Sequence, residues 1–262
     1  AKLGKGAPPK FQGKIVMITG GSGTIGFAIA KAFSKLGAQT ILVDKDEIAL
    51  KESVAKLGVG HKYFPIDVTH SDAANQAMLA AINNFGGLDI LISNAGAAHA
   101  GPMLGISNEE LRNAFELNFF SHYSFSTEAA KILKDQNRGG QILFNISKQA
   151  VNPGKNFGAY GLPKATTFFL MRQLALELGS DGIRVNGINA DRIRSGLLTD
   201  DFISSRAKSR GVSESEYMTG NLLNKEVTAE HVADAFTALA CAESTTGHVM
   251  TVDGGNIEAS LR

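Results

Sequence analysis

The amino-acid sequence predicts a doubly wound α/β fold: a single domain with a mostly parallel, seven-stranded sheet and helices on both faces. Short runs rich in Val and Ile alternate with longer stretches in which apolar residues recur three and four positions apart. The short runs are apolar on both faces and are separated by helix-length connections, so they cannot pair as hairpins and they favour a parallel sheet. A length of 262 residues is enough for one sizeable core.

Seven segments have the composition of buried strands. They are residues 14–19, 39–44, 61–67, 88–93, 141–147, 183–189 and 248–253. The first connection shows a helical pattern, because Ile25, Ile29, Phe33 and Leu36 would lie on one face of a helix. A long helix is predicted over residues 108–134. Each helix would cover part of the sheet.

The chain divides into a short arm and one domain. Residues 1–12 contain Gly, Pro and Lys without apolar periodicity, which indicates an N-terminal arm or linker. Residues 13–262 form the predicted domain, and a start without Met is compatible with processing or with excision from a longer polypeptide. The longest segment without a strand, about residues 195–223, follows the sixth strand. Ligands bind beyond the carboxyl ends of strands in such sheets, so this segment is predicted to be a substrate lid.

Composition narrows the function classes. Lys and Arg number 26 and Asp and Glu 25, so the net charge of +1 gives no reason to expect a nucleic-acid partner. The single cysteine, Cys241, excludes an internal disulfide and a cysteine metal cluster, and no metal site is predicted. No run is long enough for a membrane span, and the amino end lacks an apolar signal-peptide centre. We expect a cytoplasmic protein that acts on a small molecule.

A glycine-rich loop connects the first strand to the first helix. Gly21, Gly23 and Gly26 match the dinucleotide-binding pattern GxGxxG in the context of strand, turn and helix that gives the pattern its meaning. Glycine permits the tight turn and close backbone approach to a pyrophosphate, and the helix amino terminus supplies N–H donors. The expected cofactor contacts of the loop are Gly20, Ser22, Gly23, Thr24, Ile25 and Gly26. The alternative is a glycine turn that binds nothing.

An acidic residue ends the second strand. Asp44 lies 18 residues after Gly26, close to the spacing at which a carboxylate accepts hydrogen bonds from the adenosine ribose. Asp44 would repel a 2′-phosphate, so NAD is expected rather than NADP, although Lys45 beside it could compensate. The structural alternative is that Asp44 caps the helix that begins near Asp46.

A tyrosine and a lysine four residues apart form the candidate acid/base pair. Tyr160 and Lys164 would share one helical face. An ammonium group beside a phenol, joined by the cationic nicotinamide ring of a bound cofactor, stabilises the phenolate and lowers the pKa of the tyrosine. Ser147, at the end of the fifth predicted strand, is placed to hydrogen-bond a substrate oxygen. By spacing alone, the pair could instead be two solvated helix residues.

Together these motifs resemble the short-chain dehydrogenase/reductase family over residues 13–256. The matching features, in order, are Thr19–Gly26, Asp67 with Val68, the SNAG segment at 93–96, Asn118, Ser147, Tyr160 with Lys164, and the VDGG segment at 252–255. The resemblance implies a Rossmann-like fold, hydride transfer between a nicotinamide and an alcohol or carbonyl carbon, and a homotetramer or homodimer.

The resemblance also implies individual roles. Asn118 would complete a tetrad with Ser147, Tyr160 and Lys164 and hold a water that relays protons to Lys164. Lys164 would also bind the nicotinamide ribose together with Tyr160. The remaining implied cofactor contacts are Asp67 and Val68 at adenine, Asn94, Ala95 and Gly96 along the cofactor, and Ile193 and Ser195 at the carboxamide.

The sequence departs from the family pattern at three places. Thr24 replaces a loop glycine, Pro163 precedes the lysine, and Ala190-Asp191 replaces the Pro-Gly expected after the sixth strand. These departures favour a second hypothesis, a cofactor-binding module with little activity. A third alternative is an epimerase or dehydratase with retained NAD. It is disfavoured because relatives of that kind usually have a longer carboxyl-terminal substrate domain than this chain can supply. Arg192 and Arg194 would either recognise a carboxylate or phosphate or lie at the surface.

Three further segments resemble the dehydrogenase domain of bifunctional rhamnulose-phosphate aldolase/alcohol dehydrogenase proteins. These segments read ADRIRSGLLTDDF, YGLPKA and VDGGNIEASLR. That resemblance implies fusion to an aldolase domain in the full-length protein. It also implies a small hydroxyaldehyde such as lactaldehyde, or a sugar, as the substrate class.

Overall fold

Seven parallel strands form a single sheet in the order β3-β2-β1-β4-β5-β6-β7. The computed structural model describes residues 10–98, 100–196 and 198–256. The strands are β1 (Ile15–Thr19), β2 (Gln39–Asp44), β3 (Lys62–Pro65), β4 (Ile90–Ser93), β5 (Gly140–Asn145), β6 (Ile183–Ala190) and β7 (Val249–Val252). All seven predicted strands are confirmed. The fifth strand ends earlier than predicted because Ser147 caps a 3₁₀ turn, accepting a hydrogen bond from the Gln149 N–H at 3.2 Å.

Nine α-helices are present in the described part of the chain, and seven of them connect or flank the strands. The helices are α1 (Thr24–Lys35), α2 (Glu47–Leu57), α3 (Ala73–Phe85), α4 (Asn108–Phe115), α5 (Ser121–Gln136), α6 (Gly158–Leu178), α7 (Asp200–Arg210), α8 (Glu214–Thr219) and α9 (Ala229–Cys241). The helix predicted over 108–134 is confirmed with one modification, a π-helical turn at Glu116–Phe120 between α4 and α5. Turns of this kind often occur at functional sites.

The sheet separates two hydrophobic layers. Successive β1 residues alternate between them: Ile15 and Met17 face the layer formed with α3, α5 and α6, whereas Val16 and Ile18 face the layer formed with α1 and α9. This alternation follows from the two-residue period of a strand. Burial on both faces explains why the strands are continuously apolar.

The packed structure begins within the segment that the sequence predicts to be an arm. Phe11 is buried, its ring centroid lies 5.0 Å from that of Phe33, and its N–H donates to the Leu36 carbonyl at 2.8 Å. The boundary at residue 12 is therefore wrong for residues 10–12, because a single aromatic residue without periodicity gives no sequence signal. Residues 1–9 of the predicted arm lie outside the described residues.

The predicted lid contains the two helices α7 and α8. Its small core comprises Leu198, Ile203, Ala207, Tyr217 and Met218. Both helices begin at hydroxyl caps, Thr199 for α7 and Ser213 for α8. The segment follows β6 and therefore starts at the carboxyl edge of the sheet. Among the described residues, no helix is long and apolar enough to cross a membrane, and no acidic, His or Cys cluster could hold a metal ion.

Gly26 provides a test of the close packing between α1 and the loop before it. A Cβ atom on Gly26 would lie 2.1 Å from the Gly20 carbonyl oxygen, so Gly26→Ala should lower the free energy of unfolding by at least about 2 kcal/mol. Gly179 is the matched control because it has φ −60° and open space around it, and Gly179→Ala should stabilise by about 0.5 kcal/mol. Urea unfolding measures both. Equal effects would contradict the packing.

Candidate active site

A cavity of about 960 Å³ opens at the carboxyl ends of the strands. It extends along the edge formed by β1, β4, β5 and β6, as expected for a sheet whose strand order reverses beside β1. Sixteen of the eighteen predicted site residues line it: Gly20, Gly23, Thr24, Ile25, Gly26, Asp44, Asp67, Val68, Asn94, Ala95, Gly96, Ser147, Tyr160, Lys164, Ile193 and Ser195. Ser22 and Asn118 do not line the cavity.

The glycine loop leaves room for a ligand by packing closely against its own backbone. Gly20 has φ +64°, and a Cβ atom there would lie 3.0 Å from the Ala95 Cα. Thr24 is the first residue of α1 and lies at the cavity wall, with Gly23 as the helix N-cap. The substitution of Thr for Gly at position 24 therefore leaves the loop intact, because the side chain is exposed at a helix start. The free backbone N–H groups at the start of α1 lie at the cavity wall, where they could bind an anion.

Asp44 is bonded to the loop rather than to a helix. Its Oδ2 accepts hydrogen bonds from the Ser22 Oγ at 2.7 Å and from the Ser22 N–H at 3.3 Å. Asp46, not Asp44, caps α2 by accepting from the Ala49 N–H at 3.0 Å. The structural alternative for Asp44 is therefore wrong. Ser22, which does not line the cavity, therefore orients the Asp44 carboxylate that does.

Asp67 occupies the neighbouring position beyond β3. Its Oδ1 accepts from the Thr69 N–H at 3.0 Å and from the Thr69 Oγ1 at 2.7 Å. The backbone hydrogen bond from Thr69 is the main reason that the pKa of Asp67 is lowered from its ordinary value. Asp67 is therefore a carboxylate at neutral pH.

A chain of hydrogen bonds connects the glycine loop to α6, the helix that carries Tyr160 and Lys164. The Thr19 Oγ1 accepts from the Asn94 N–H at 2.9 Å, and the Asn94 Nδ2 donates to the Thr19 carbonyl at 2.9 Å. The Asn145 Nδ2 donates to the Asn94 Oδ1 at 2.9 Å, and the Lys164 Nζ donates to the Asn145 carbonyl at 3.0 Å. Thr19, Asn94 and Asn145 end β1, adjoin the end of β4 and end β5, respectively. Sequence analysis missed Asn145 because it belongs to no motif.

Tyr160, Ser147 and Lys164 meet at the wall of the cavity. All three side chains line the cavity, and the Lys164 Nζ lies 5.8 Å from the centroid of the Tyr160 ring. Burial raises the pKa of Tyr160 above its ordinary value, and the polar Ser147 side chain opposes this effect. Burial lowers the pKa of Lys164 to about 7. Desolvation therefore outweighs the effect of Ser147 in the chain alone, and the lowering of the tyrosine pKa by Lys164 together with a cationic nicotinamide stays a prediction.

Asn118 lies in the π-helical turn behind the cavity wall. Its Nδ2 donates to the Ala97 carbonyl at 2.9 Å, and its own carbonyl accepts from the Thr167 Oγ1 at 2.7 Å. A Cβ atom on Gly96 would lie 2.8 Å from the Asn118 Oδ1 and 3.4 Å from the Lys164 Nζ. Glycine at position 96 therefore allows the side chains of Asn118 and Lys164 to lie this close to the backbone of residue 96. The water relay through Asn118 stays a prediction.

His122 is a buried partner of Lys164 that sequence analysis missed. Its Nε2 lies 3.3 Å from the Lys164 Nζ, and its Nδ1 lies 2.7 Å from the Ser93 Oγ. Burial, followed by the charge of Lys164, holds the pKa of His122 well below its ordinary value. The ring is therefore neutral, with Nε2 accepting from the ammonium. The available signal was its position one helical turn after Asn118.

The Ala190-Asp191 departure has a structural explanation. The Asp191 Oδ2 accepts from the Asn256 Nδ2 at 2.9 Å and lies 3.8 Å from the buried Lys148 Nζ. Lys148 also forms an ion pair with Asp253 at 2.8 Å. This network holds the ends of β5, β6 and β7 together, so Asp191 supplies a charge partner that a glycine could not.

Pro163 and the two arginines differ in their outcomes. Pro163 is the sixth residue of α6 and lies in the second turn, so the Ala159 carbonyl lacks its usual helical donor. Arg192 lines the cavity and donates to the Tyr217 carbonyl. Arg194 does not line the cavity but pairs with Glu226 at 2.7 Å and with Asp200, as the surface interpretation predicts.

Comparison with known proteins decides the family. A family model described as "Enoyl-(Acyl carrier protein) reductase" matches residues 20–256. The chain belongs to the short-chain dehydrogenase/reductase family. This membership covers both the glycine loop and the helix that bears Tyr160 and Lys164.

Two curated relatives illustrate the range of the family. "Uncharacterized oxidoreductase YuxG" of Bacillus subtilis (strain 168) is 33% identical over 264 residues, which cover 95% of this chain and 38% of that protein. "Borneol dehydrogenase, mitochondrial" of Lavandula x intermedia is 31% identical over 255 residues, which cover 94% of this chain and 91% of that protein. The chain thus spans little more than a third of YuxG but nearly all of the lavender enzyme.

Solved structures share the whole fold. A 3-ketoacyl-(acyl-carrier-protein) reductase from Brucella melitensis, complexed with NADH, has a TM-score of 0.86 and 25% identity and covers 94% of this chain and 99% of its own. A short-chain type dehydrogenase/reductase from Mycobacterium ulcerans has a TM-score of 0.85 and 29% identity, with 94% and 90% covered. These matches establish the Rossmann-like sheet. Family membership makes the protein an oxidoreductase with a nicotinamide cofactor.

His122 generates a prediction about acid stability. Its folded pKa is depressed, so below pH 6.5 the unfolded chain binds a proton that the folded chain does not. The free energy of unfolding should therefore decrease as the pH is lowered, by up to about 1.4 kcal/mol per pH unit from this residue. His122→Gln should remove that part of the slope between pH 6.5 and 5, as measured by urea unfolding. The exposed His248→Gln is the control, and equal slopes in all three proteins would contradict the assignment.

Proposed function

We propose that the protein is an NAD-dependent dehydrogenase that transfers hydride between the nicotinamide and an alcohol or carbonyl carbon, with Tyr160 as the acid/base. The observation that carries the proposal is that Ser147, Tyr160 and Lys164 line one cavity with the glycine loop, with the Lys164 Nζ 5.8 Å from the Tyr160 ring centroid. When bound, the cofactor supplies the hydride acceptor or donor. The cradle fits it, because Gly26 lets α1 pack directly against the loop and Gly96 adds no side chain to the cavity wall.

Three side chains act on the substrate in this proposal. The Ser147 Oγ hydrogen-bonds the substrate oxygen and fixes its position. In oxidation, the Tyr160 Oη takes the hydroxyl proton; in reduction it returns that proton to the oxygen. Lys164 favours the phenolate, and its pKa of about 7 matches it to proton exchange at neutral pH. Asn118 and His122 hold the lysine-bearing region from behind.

The cofactor contacts are assigned from the cavity wall. The amino terminus of α1 would bind the pyrophosphate through Gly23, Thr24 and Ile25. The other proposed contacts are Asp67 and Val68 at adenine, Asn94, Ala95 and Gly96 along the cofactor, Tyr160 and Lys164 at the nicotinamide ribose, and Ile193 and Ser195 at the carboxamide.

Asp44 supports NAD as the cofactor. Ser22 orients its carboxylate at the cavity wall, where it would accept from ribose hydroxyls and repel a 2′-phosphate. Lys45 also lines the cavity, but its backbone N–H donates to Asp44 Oδ1 at 2.8 Å. The fixed carboxylate therefore favours NAD.

The alternative of an inert binding module loses two of the three departures that motivated it. Thr24 leaves the loop intact, and Asp191 has partners of its own.

We also propose a homotetramer or homodimer, because α5 and α6 expose several apolar side chains: Tyr123, Leu162, Phe169 and Leu176. The chain spans 38% of YuxG and 91% of the borneol dehydrogenase, and fusion to an aldolase domain stays a prediction.

Replacing Tyr160 tests the proposed chemistry. Tyr160→Phe should lower turnover by about 10²- to 10⁴-fold, because the acid/base is removed while the ring packing is kept. Absorbance of the reduced cofactor is followed with small hydroxyaldehydes, sugars and hydroxy acids. Tyr123→Phe, an exposed tyrosine on α5, is the control and should retain activity. Near-normal turnover of Tyr160→Phe, or no turnover by the parent while NADH binds, would sink the proposal.

Replacing Asp44 tests the cofactor choice. Asp44→Asn should lower the preference for NAD over NADP by about 10- to 100-fold, since a charged hydrogen-bond acceptor is lost and the repulsion of a 2′-phosphate disappears. Binding is measured by fluorescence titration with NADH and NADPH. Asp46→Asn keeps a cap on α2 and should leave the ratio unchanged. An unchanged ratio in Asp44→Asn would reject this role.

A further inference from the structure

One face of α7 presents two arginines to the cavity. Phe202, Arg206 and Arg210 recur every four residues and all three line the cavity. Ile203 and Ala207 are buried on the other side of α7, in the small core of the lid. Packing of that core therefore fixes which face α7 turns toward the cavity.

Arg206 is held in place but lacks an anionic partner. Its guanidinium carbon lies 5.3 Å from the centroid of the Phe157 ring, which also packs edge-on against Phe202. Its Nε is buried without a hydrogen-bond partner. Within the described ranges, no carboxylate lies within 4.0 Å of Arg206. A buried donor left without a partner is costly, which indicates a group that completes the site.

Arg210 lies one turn after Arg206 on the same cavity-facing side of α7. Its guanidinium carbon lies 5.3 Å from the centroid of the Tyr217 ring, and that of Arg192 lies 4.7 Å from it. Arg192 is paired with Asp191 at 3.5 Å and bonded to the Tyr217 carbonyl. Arg194, by contrast, pairs with two carboxylates outside the cavity. Only Arg206 and Arg210 thus combine a cavity position with no acidic neighbour in the part of the lid that the structure describes.

These arginines lie at the substrate end of the cavity. Phe157 is the N-cap of α6 and precedes Tyr160 by three residues, about one helical turn. The glycine loop follows β1, two positions away from β5 in the sheet, and has its own helix start for a pyrophosphate. Arg206 and Arg210 are therefore separate from the glycine loop that would bind the pyrophosphate.

We infer that Arg206, assisted by Arg210, binds an anionic group of the substrate, a carboxylate or a phosphate monoester. Guanidinium groups bind both anions through paired N–H donors. The inference rests on the proposed function and narrows its substrate class to small hydroxy or oxo acids and phosphorylated sugars or hydroxyaldehydes. The anion would orient the substrate so that its hydroxyl or carbonyl group meets Ser147 and Tyr160.

Matched neutral and anionic probes test this inference. The chain saturated with NADH is titrated, in phosphate-free buffer, with acetoacetate and its methyl ester, and with dihydroxyacetone phosphate and dihydroxyacetone. Quenching of NADH fluorescence measures binding, and loss of NADH measures reduction. At least one anion should bind about tenfold or more tighter than its neutral counterpart. The first pair reports on a carboxylate site and the second on a phosphate site.

Variants of α7 assign the effect to the arginines. Arg206→Gln should reduce the anion preference to about threefold or less and leave the Kd of NADH unchanged. Arg206→Lys should retain part of the preference, which guards against loss of folding, and Arg210→Gln should have a smaller effect. Lys208→Gln removes the same charge from an exposed position of the same helix and should change nothing.

The possible failures are distinguishable. Equal binding of anion and neutral probe, or an unchanged preference in Arg206→Gln, overturns the anion site while the proposed function stands. Parallel weakening of NADH in Arg206→Gln would show that the arginine serves the cofactor and also overturns it. Failure of the parent to bind NADH overturns the proposed function, and the anion site with it.

Discussion

The hydrogen-bond chain from Thr19 through Asn94 and Asn145 to Lys164 is the constraint on which the site depends. It runs across the carboxyl ends of three adjacent parallel strands. Because parallel strands all end at one edge, polar groups there face the cavity instead of the core. This series of hydrogen bonds therefore fixes the distance between the glycine loop and α6, and a shift of any one strand would separate the two sides of the cavity.

Burial sets the electrostatics of this region. Lys164 and His122 are both enclosed, and desolvation lowers the pKa of each group. The neutral ring of His122 accepts a hydrogen bond from Lys164, so the ammonium keeps partners without a buried carboxylate to neutralise it. Gly96 allows this enclosure because it adds no side chain between Asn118 and Lys164.

Much of the fold and of the site could be predicted from sequence. Strand periodicity and the local spacing of the glycine loop encode β1, α1 and β2 directly, and the position of Asp44 beside the loop follows from the order of those elements. The burial of Phe11 and the π-helical turn at Glu116–Phe120 could not be predicted, because each depends on packing against residues distant in sequence. The raised pKa of Tyr160 likewise depends on enclosure, which spacing does not report.

The sheet, the glycine loop and the pair of Tyr160 with Lys164 are encoded locally, because each arises from residues within one or two turns or strands of one another. The other residues around Lys164 and along the cavity come together only through packing. His122 reaches Lys164 across 42 positions, and Arg206 stacks on a ring from another element. Such contacts form only when helices pack on a common sheet, since burial brings together groups whose separation in sequence carries no signal of their proximity.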